Sequence, residues 1–270
     1  MSLFRIKGIT VLTRAVVVLL ALILLPGCVT TKSSGFASKA DDQKAIDTSL
    51  QLARSYISQG NWGQAKRHLQ YVEQKDSNNP ETLEALALVF QNTGELEMAE
   101  RYYERSIRIA PNVPRVRNNY AAFLYARGRY SDAASQLERV VTDLLYDKRV
   151  ESFVNLGRCY LKLEELEKAA VAFKRAFLMQ GDDANVLMAL AEVYYRMGRF
   201  AESQRYYDAF RSKNPNQSAS ALWLGIRLAD KFDDKNTHAS FALALKNLYS
   251  KSEEYLLYKA YIANGNGERR

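Results

Sequence analysis

The chain has 270 residues, 47% hydrophobic and 25% charged, with a formal net charge of +8. Two histidines, far apart in sequence, and two cysteines offer no metal-ligand spacing, and the chain has neither a glycine-rich phosphate loop nor a nucleophile elbow. The basic excess forms no run or stripe, which argues against a nucleic-acid face.

The first element is a leader. Arg5, Lys7 and Arg14 flank an unbroken apolar run from Ala15 to Leu25. That run is too short to cross a bilayer as a mature helix and reads as the core of a secretory signal. It ends in Leu25-Pro26-Gly27-Cys28, which resembles the bacterial lipobox, where a small residue precedes a cysteine that is lipidated and becomes the mature N-terminus. Pro26 is not the commonest residue at its place. The alternative is a plain membrane anchor with an incidental cysteine, but signal, spacing and cysteine agree on lipidation at Cys28. Val29 stands where an Asp commonly retains such lipoproteins in the inner membrane. Its presence points to the outer membrane, with the protein facing the periplasm.

Removal of residues 1–27 leaves 35 basic and 30 acidic side chains, a mild excess suited to acidic partner segments or anionic surfaces. Residues 28–40 are small and polar after the cysteine and read as a flexible tether of about 20 Å. With Cys28 assigned to lipid, Cys159 has no thiol to pair with and reads as a small buried packing residue.

From Asp41 onward a pattern repeats about every 34 residues. A small residue recurs at Ala65, Ala99, Ala133, Ala169 and Ser203, and more weakly at Thr237, at intervals of 34, 34, 36, 34 and 34. Around each, the same side-chain classes return, as in Leu83, Leu86, Ala87, Phe90, Gly94, Leu96, Ala99, Tyr103 and Pro111. This is the tetratricopeptide period, in which each unit is a helix–turn–helix that buries its apolar face only by stacking on its neighbours. The fold expected is an all-α superhelical solenoid with six repeats in residues 41–249, at about 46–79, 80–113, 114–147, 150–183, 184–217 and 218–249. Residues 250–270 follow as a capping helix and tail.

Within the first repeat, Leu52, Ala53 and Tyr56 are expected to fill the inner face of the first helix. Pro80 and Pro114 suit a first helical turn. Between the third and fourth repeats, Asp143-Leu144-Leu145-Tyr146-Asp147 replaces the usual turn and lengthens the connection. The sixth repeat is degenerate, with Phe232-Asp233-Asp234-Lys235 in place of a glycine turn. Acidic pairs such as Asp182-Asp183 and Glu253-Glu254 fall at helix starts, where the helix dipole favours them.

Such an architecture is a binding module rather than an enzyme, and no catalytic residues, cofactor, nucleic acid or small-molecule substrate are expected. Partner binding is expected in the groove lined by the first helices of the repeats. By register that groove includes Leu88, Asn118, Tyr125, Val154, Arg158, Leu161, Met188 and Tyr195, with Leu50, Glu84 and Glu192 in the same set. An apolar patch rimmed by Arg and Asn suits a protein partner, the alternative being that neighbouring repeats cover part of it.

Beyond generic repeat residues the chain carries Asn118-Asn119-Tyr120 with Phe123-Leu124, then Asn155-Leu156-Gly157-Arg158-Cys159, then Leu222-Trp223-Leu224-Gly225-Ile226-Arg227. Asn119 and Trp223 are not required by the repeat. With these marks, the lipobox and six repeats, residues 15–260 resemble the PilF/PilW family of type IV pilus biogenesis and stability lipoproteins, the pilotins. Ala121-Ala122 and Tyr125 depart from that pattern, which bears on groove contacts. The resemblance implies an outer-membrane lipoprotein, anchored through Cys28, that binds type IV pilus secretin subunits and promotes their localisation and multimerisation, as pilus formation and twitching motility need. The competing expectation is an adaptor for cell-wall enzymes or an envelope polysaccharide exporter.

Overall fold

The computed structural model describes residues 39–181 and 183–265. Cys28 and the leader lie outside the described residues. The chain divides into two compact units between Asp47 and Thr48. Thirteen helices and no strand occur among the described residues: α1 (Lys39–Ser58), α2 (Trp62–Lys75), α3 (Pro80–Thr93), α4 (Leu96–Ile109), α5 (Pro114–Ala126), α6 (Tyr130–Val140), α7 (Arg149–Lys162), α8 (Leu166–Gln180), α9 (Ala184–Arg196), α10 (Phe200–Lys213), α11 (Ala219–Lys231), α12 (Lys235–Leu248) and α13 (Glu253–Ala263). Helix α1 starts at Lys39, two residues inside the expected tether.

Two columns of small residues let the paired helices approach. Ala65, Ala99, Ala133, Ala169 and Ser203 on the second helices are fully buried. Opposite them on the first helices run Ala53, Ala87, Ala121, Gly157, Ala191 and Gly225, all buried. The Ser203 hydroxyl donates to the Ala191 carbonyl at 2.6 Å, which marks the crossing of the two columns. Glycine takes this position in the fourth and sixth repeats because aromatic rings fill the space. A Cβ at Gly157 would lie 2.6 Å from Phe173 Cε1, and one at Gly225 would meet the Tyr207 hydroxyl and lie 2.6 Å from Phe241 Cε2.

The turn between paired helices needs one residue in the left-handed region. Gly60, Gly94, Gly128 and Gly198 supply it in four repeats. Glu164 (φ 61°) and Asp233 (φ 56°) take the same conformation in the fourth and sixth, at the steric cost of a Cβ. The helix after each turn starts two residues on. N-caps come from Asn61, Asn79, Asp183, Ser218, Asp234 and Ser252, each accepting from a backbone N–H of the first turn.

Two expectations are corrected. The sixth small position is not Thr237. Counting from the left-handed residue, His238 occupies it, and its N–H bonds to the Asp234 carbonyl as Ala169 N–H bonds to Glu165. The turn keeps three residues, 232–234 as 197–199 in the fifth repeat, and the one-residue shift arises ahead of it, since Asp233 stands eight residues after Gly225 where Gly198 stands seven after Ala191. Leu52 does not fill the core either: it is 40% exposed, while Leu50 and Ala53 are buried. A helical stripe takes residues three or four apart, and Leu50 and Ala53 keep that spacing whereas Leu52 falls off it.

Gly225→Ala is expected to lower unfolding stability by about 1–3 kcal/mol through overpacking. The Tyr207 hydroxyl cannot swing away freely, because it sits 2.6 Å from Gln217 Oε1 and 2.9 Å from the Ala221 carbonyl. Urea denaturation reads the change, and an unaltered midpoint would mean the ring has room to move.

Candidate functional site

The polar residues of the first helices are spent largely on one another. Glu84 of α3 is buried and accepts from Asn119 Nδ2 at 2.7 Å, with Arg115 at 2.8 Å on its second oxygen. Burial raises the Glu84 pKa, and the Arg115 charge and the Asn119 hydrogen bond oppose that shift. Asn118 of α5 is 6% exposed and accepts from the Ser152 hydroxyl of α7 at 3.0 Å. Arg227 of α11 reaches Glu192 of α9 at 2.8 Å. Each bond joins first helices of successive repeats.

This arrangement corrects the register-based groove at three positions. Asn118, Glu84 and Leu50 are buried rather than presented in the groove. For the first two the physical reason is the inter-repeat hydrogen bond, which draws the side chain between helices. Asn119, which the repeat does not require, satisfies a buried carboxylate.

Leu88, Tyr125, Val154, Leu161, Met188 and Tyr195 are half-buried, and Arg158 is exposed. Tyr125 and Tyr195 each pack on the first aromatic residue of the following helix, Tyr130 at 5.1 Å and Phe200 at 5.3 Å. They staple helix pairs and are themselves half-buried.

Arg158, Leu161 and Met188 come together in one cleft of about 570 Å³. Glu192, Trp223 and Arg227 join them, and Glu253, Glu254 and Leu257 of α13 form a further wall. Leu88, Asn118, Tyr125, Val154 and Tyr195 do not line it. Arg227 is fixed by its bond to Glu192 and by two rings, Tyr195 at 4.5 Å and Trp223 at 5.3 Å. Trp223 in turn meets Tyr258 and Tyr261 of α13 edge-on, at 6.4 and 5.5 Å. The capping helix therefore supports the cleft through Trp223, a contact that repeat register does not reveal because α13 belongs to no repeat. An apolar floor with fixed charges at its rim suits a protein segment.

Cys159 is fully buried on α7, and burial pushes its thiol up to about 11. That environment keeps it a packing residue.

Tetratricopeptide repeat models match residues 50–114, 121–184 and 160–223. The type IV pilus assembly protein PilF of Pseudomonas aeruginosa is 34% identical over 248 residues, covering 92% of this chain and 98% of that protein. The solved structure of Pseudomonas aeruginosa PilF superposes with a TM-score of 0.71, over 81% of this chain and 98% of the other. PilW, described as a widely conserved type IV pilus biogenesis factor, matches at a TM-score of 0.67 over 79% and 97%, and at 20% identity it attests the fold alone.

The raised Glu84 pKa gives a pH signature. The folded state keeps a proton that the unfolded chain releases above its ordinary value of 4.5. Its contribution to stability is therefore present below that value and is lost as pH rises through the folded-state pKa. The stability of the parent relative to Glu84→Gln is expected to fall between that pH and neutrality in urea unfolding. A difference that stays flat would mean Arg115 and Asn119 compensate the burial in full.

Proposed function

Since the chain belongs to the PilF/PilW family of tetratricopeptide-repeat type IV pilus proteins, we propose that it is the pilotin of its system. In this reading it is an outer-membrane lipoprotein that binds the type IV pilus secretin and promotes secretin localisation and multimerisation. The observation that carries the proposal is 34% identity to a type IV pilus assembly protein over nearly the whole of both chains. The leader and Leu25-Pro26-Gly27-Cys28 support lipid attachment at Cys28, and Val29 supports the outer membrane with the repeats in the periplasm.

The mechanism is scaffolding. Each buried methylene of an acyl chain contributes about 0.8 kcal/mol, so more than one chain gives stable attachment. Tethering then raises the local concentration of a partner of modest affinity. Secretin segments would enter the groove of the first helices, with Arg158, Leu161 and Met188 in the cleft and Leu88, Tyr125, Val154 and Tyr195 along its apolar edge. The binding step needs no cofactor.

Two experiments test this. In outer membranes from a strain lacking the gene, an unboiled denaturing gel is expected to lose the heat-resistant secretin multimer while monomer remains. The intact gene is expected to restore it. An unchanged multimer would reject the pilotin role and bring forward an adaptor for cell-wall enzymes or polysaccharide export. Separately, Cys28→Ala is expected to leave the helical circular dichroism spectrum intact and to remove the protein from the outer-membrane fraction. Normal recovery there would sink the lipoprotein reading.

A further inference from the structure

The connection between α6 and α7 presents two leucines that the fold does not use. Leu144 is 73% exposed and Leu145 is 95% exposed. The loop that carries them is well held. Its Asp143 Oδ1 accepts from Leu145 N–H at 2.9 Å, and Asp147 Oδ1 accepts from Lys148 N–H at 2.8 Å. Thr142 Oγ1 donates to the Arg139 carbonyl at 2.7 Å, and Arg149 Nε donates to the Val141 carbonyl at 2.8 Å. The leucines are thus held in water by a built loop, against the ordinary preference of leucine for burial.

Beside them lies a second feature that the groove does not include. A cleft of about 350 Å³ is lined by Asn112, Arg117, Arg139, Thr142 and Asp143, with Pro111 and Pro114 at its edge. Arg117 is 7% exposed. It donates to the Pro111 carbonyl at 3.1 Å and to Gln136 Oε1 at 2.7 Å, both uncharged acceptors. Arg139 makes no ion pair among the described residues. Burial and then the charge of Arg139 lower the Arg117 pKa, so the two cations in the cleft repel one another and exceed its single carboxylate by one charge. Asp143 lends one carboxylate to the cleft, and its Oδ1 is already occupied by Leu145 N–H.

We propose that this corner of the solenoid docks on an anionic phospholipid surface, with a headgroup phosphate between Arg117 and Arg139 and with Leu144 and Leu145 entering the acyl boundary. The same two residues that close the cleft, Thr142 and Asp143, lead directly into the leucines, so phosphate and apolar contacts fall side by side. A soluble anion would use the arginines and leave the leucines unexplained. A lipid uses both. Basic residues at an anionic surface and apolar side chains below the headgroups are the two ingredients of interfacial binding. The inference is independent of which protein partner occupies the groove.

The test reads the loop rather than total binding, because the apolar run 15–25 brings every variant to vesicles alike. The full chain carries Cys28→Ser and Leu145→Cys, with an environment-sensitive fluorophore at position 145; Cys159 is buried and escapes labelling. Phosphatidylglycerol vesicles are expected to blue-shift the probe, and phosphatidylcholine vesicles to leave it near its aqueous value. Adding Arg139→Glu, or Arg139→Gln as the milder change, is expected to abolish the difference between the two lipids, with helical circular dichroism retained. Adding Leu144→Asn is expected to reduce the blue shift. No shift on phosphatidylglycerol, equal shifts on both lipids, or a response that survives both Arg139 variants would overturn the proposal. A shift on inorganic phosphate alone would reassign the cleft to a soluble anion and overturn it as well.

Discussion

The close crossing of two helices through small residues is the constraint on which this chain depends. Ala65, Ala99, Ala133, Ala169 and Ser203 are buried on one side, and Ala53, Ala87, Ala121, Gly157, Ala191 and Gly225 on the other. With no bulk at the crossing, aromatic side chains around it can stack face to face. Tyr103 stacks near Tyr120 at 5.4 Å, and Tyr194 near Tyr206 at 5.5 Å. Each helix pair still has an apolar flank, which only the next pair can cover. Stacking follows from that deficit, and the groove follows from stacking.

Polar chemistry is then constrained by the stack. A buried carboxylate such as Glu84 is tolerated because Asn119 and Arg115 arrive from the next repeat. Asn118 and Ser152 form a similar bond one repeat further on. These bonds tie the register of neighbouring first helices, since a slipped pair would leave them unsatisfied. The cost is that such side chains are withdrawn from the groove. What remains available for partners is the half-buried apolar edge and the cleft shared by α7, α9, α11 and α13.

Two stretches depart from the regular repeat pattern, one at its C-terminal end and one in its middle. In the sixth repeat Asp233, like Glu164 in the fourth, adopts the turn conformation that glycine supplies in the other four, and His238 stands five residues after it, half-buried. Its ring bonds to Asp230 and lies 5.9 Å from Tyr258 of the capping helix. The irregular sequence there matches a structural task the inner repeats lack, joining the array to α13. The long connection at residues 142–148 is a second departure, and its side chains serve contacts outside the repeat core.

The sequence by itself determined the helix pairs, the small-residue column on the second helices from Ala65 to Ser203, and the family. All of these depend on contacts between residues a few positions apart or one period apart, and a period of about 34 residues makes such contacts readable from spacing alone. It also placed Arg158, Leu161 and Met188 on the groove side of two successive first helices, α7 and α9, among eight residues assigned there by register. Only the tertiary structure decided which groove residues keep their solvent face. Exposure depends on what the next repeat brings across, as Ser152 does to Asn118, and identical register gives opposite outcomes for Asn118 and Met188. The capping helix lies outside the period, so its wall on the cleft and its contact with Trp223 were beyond any reading of spacing.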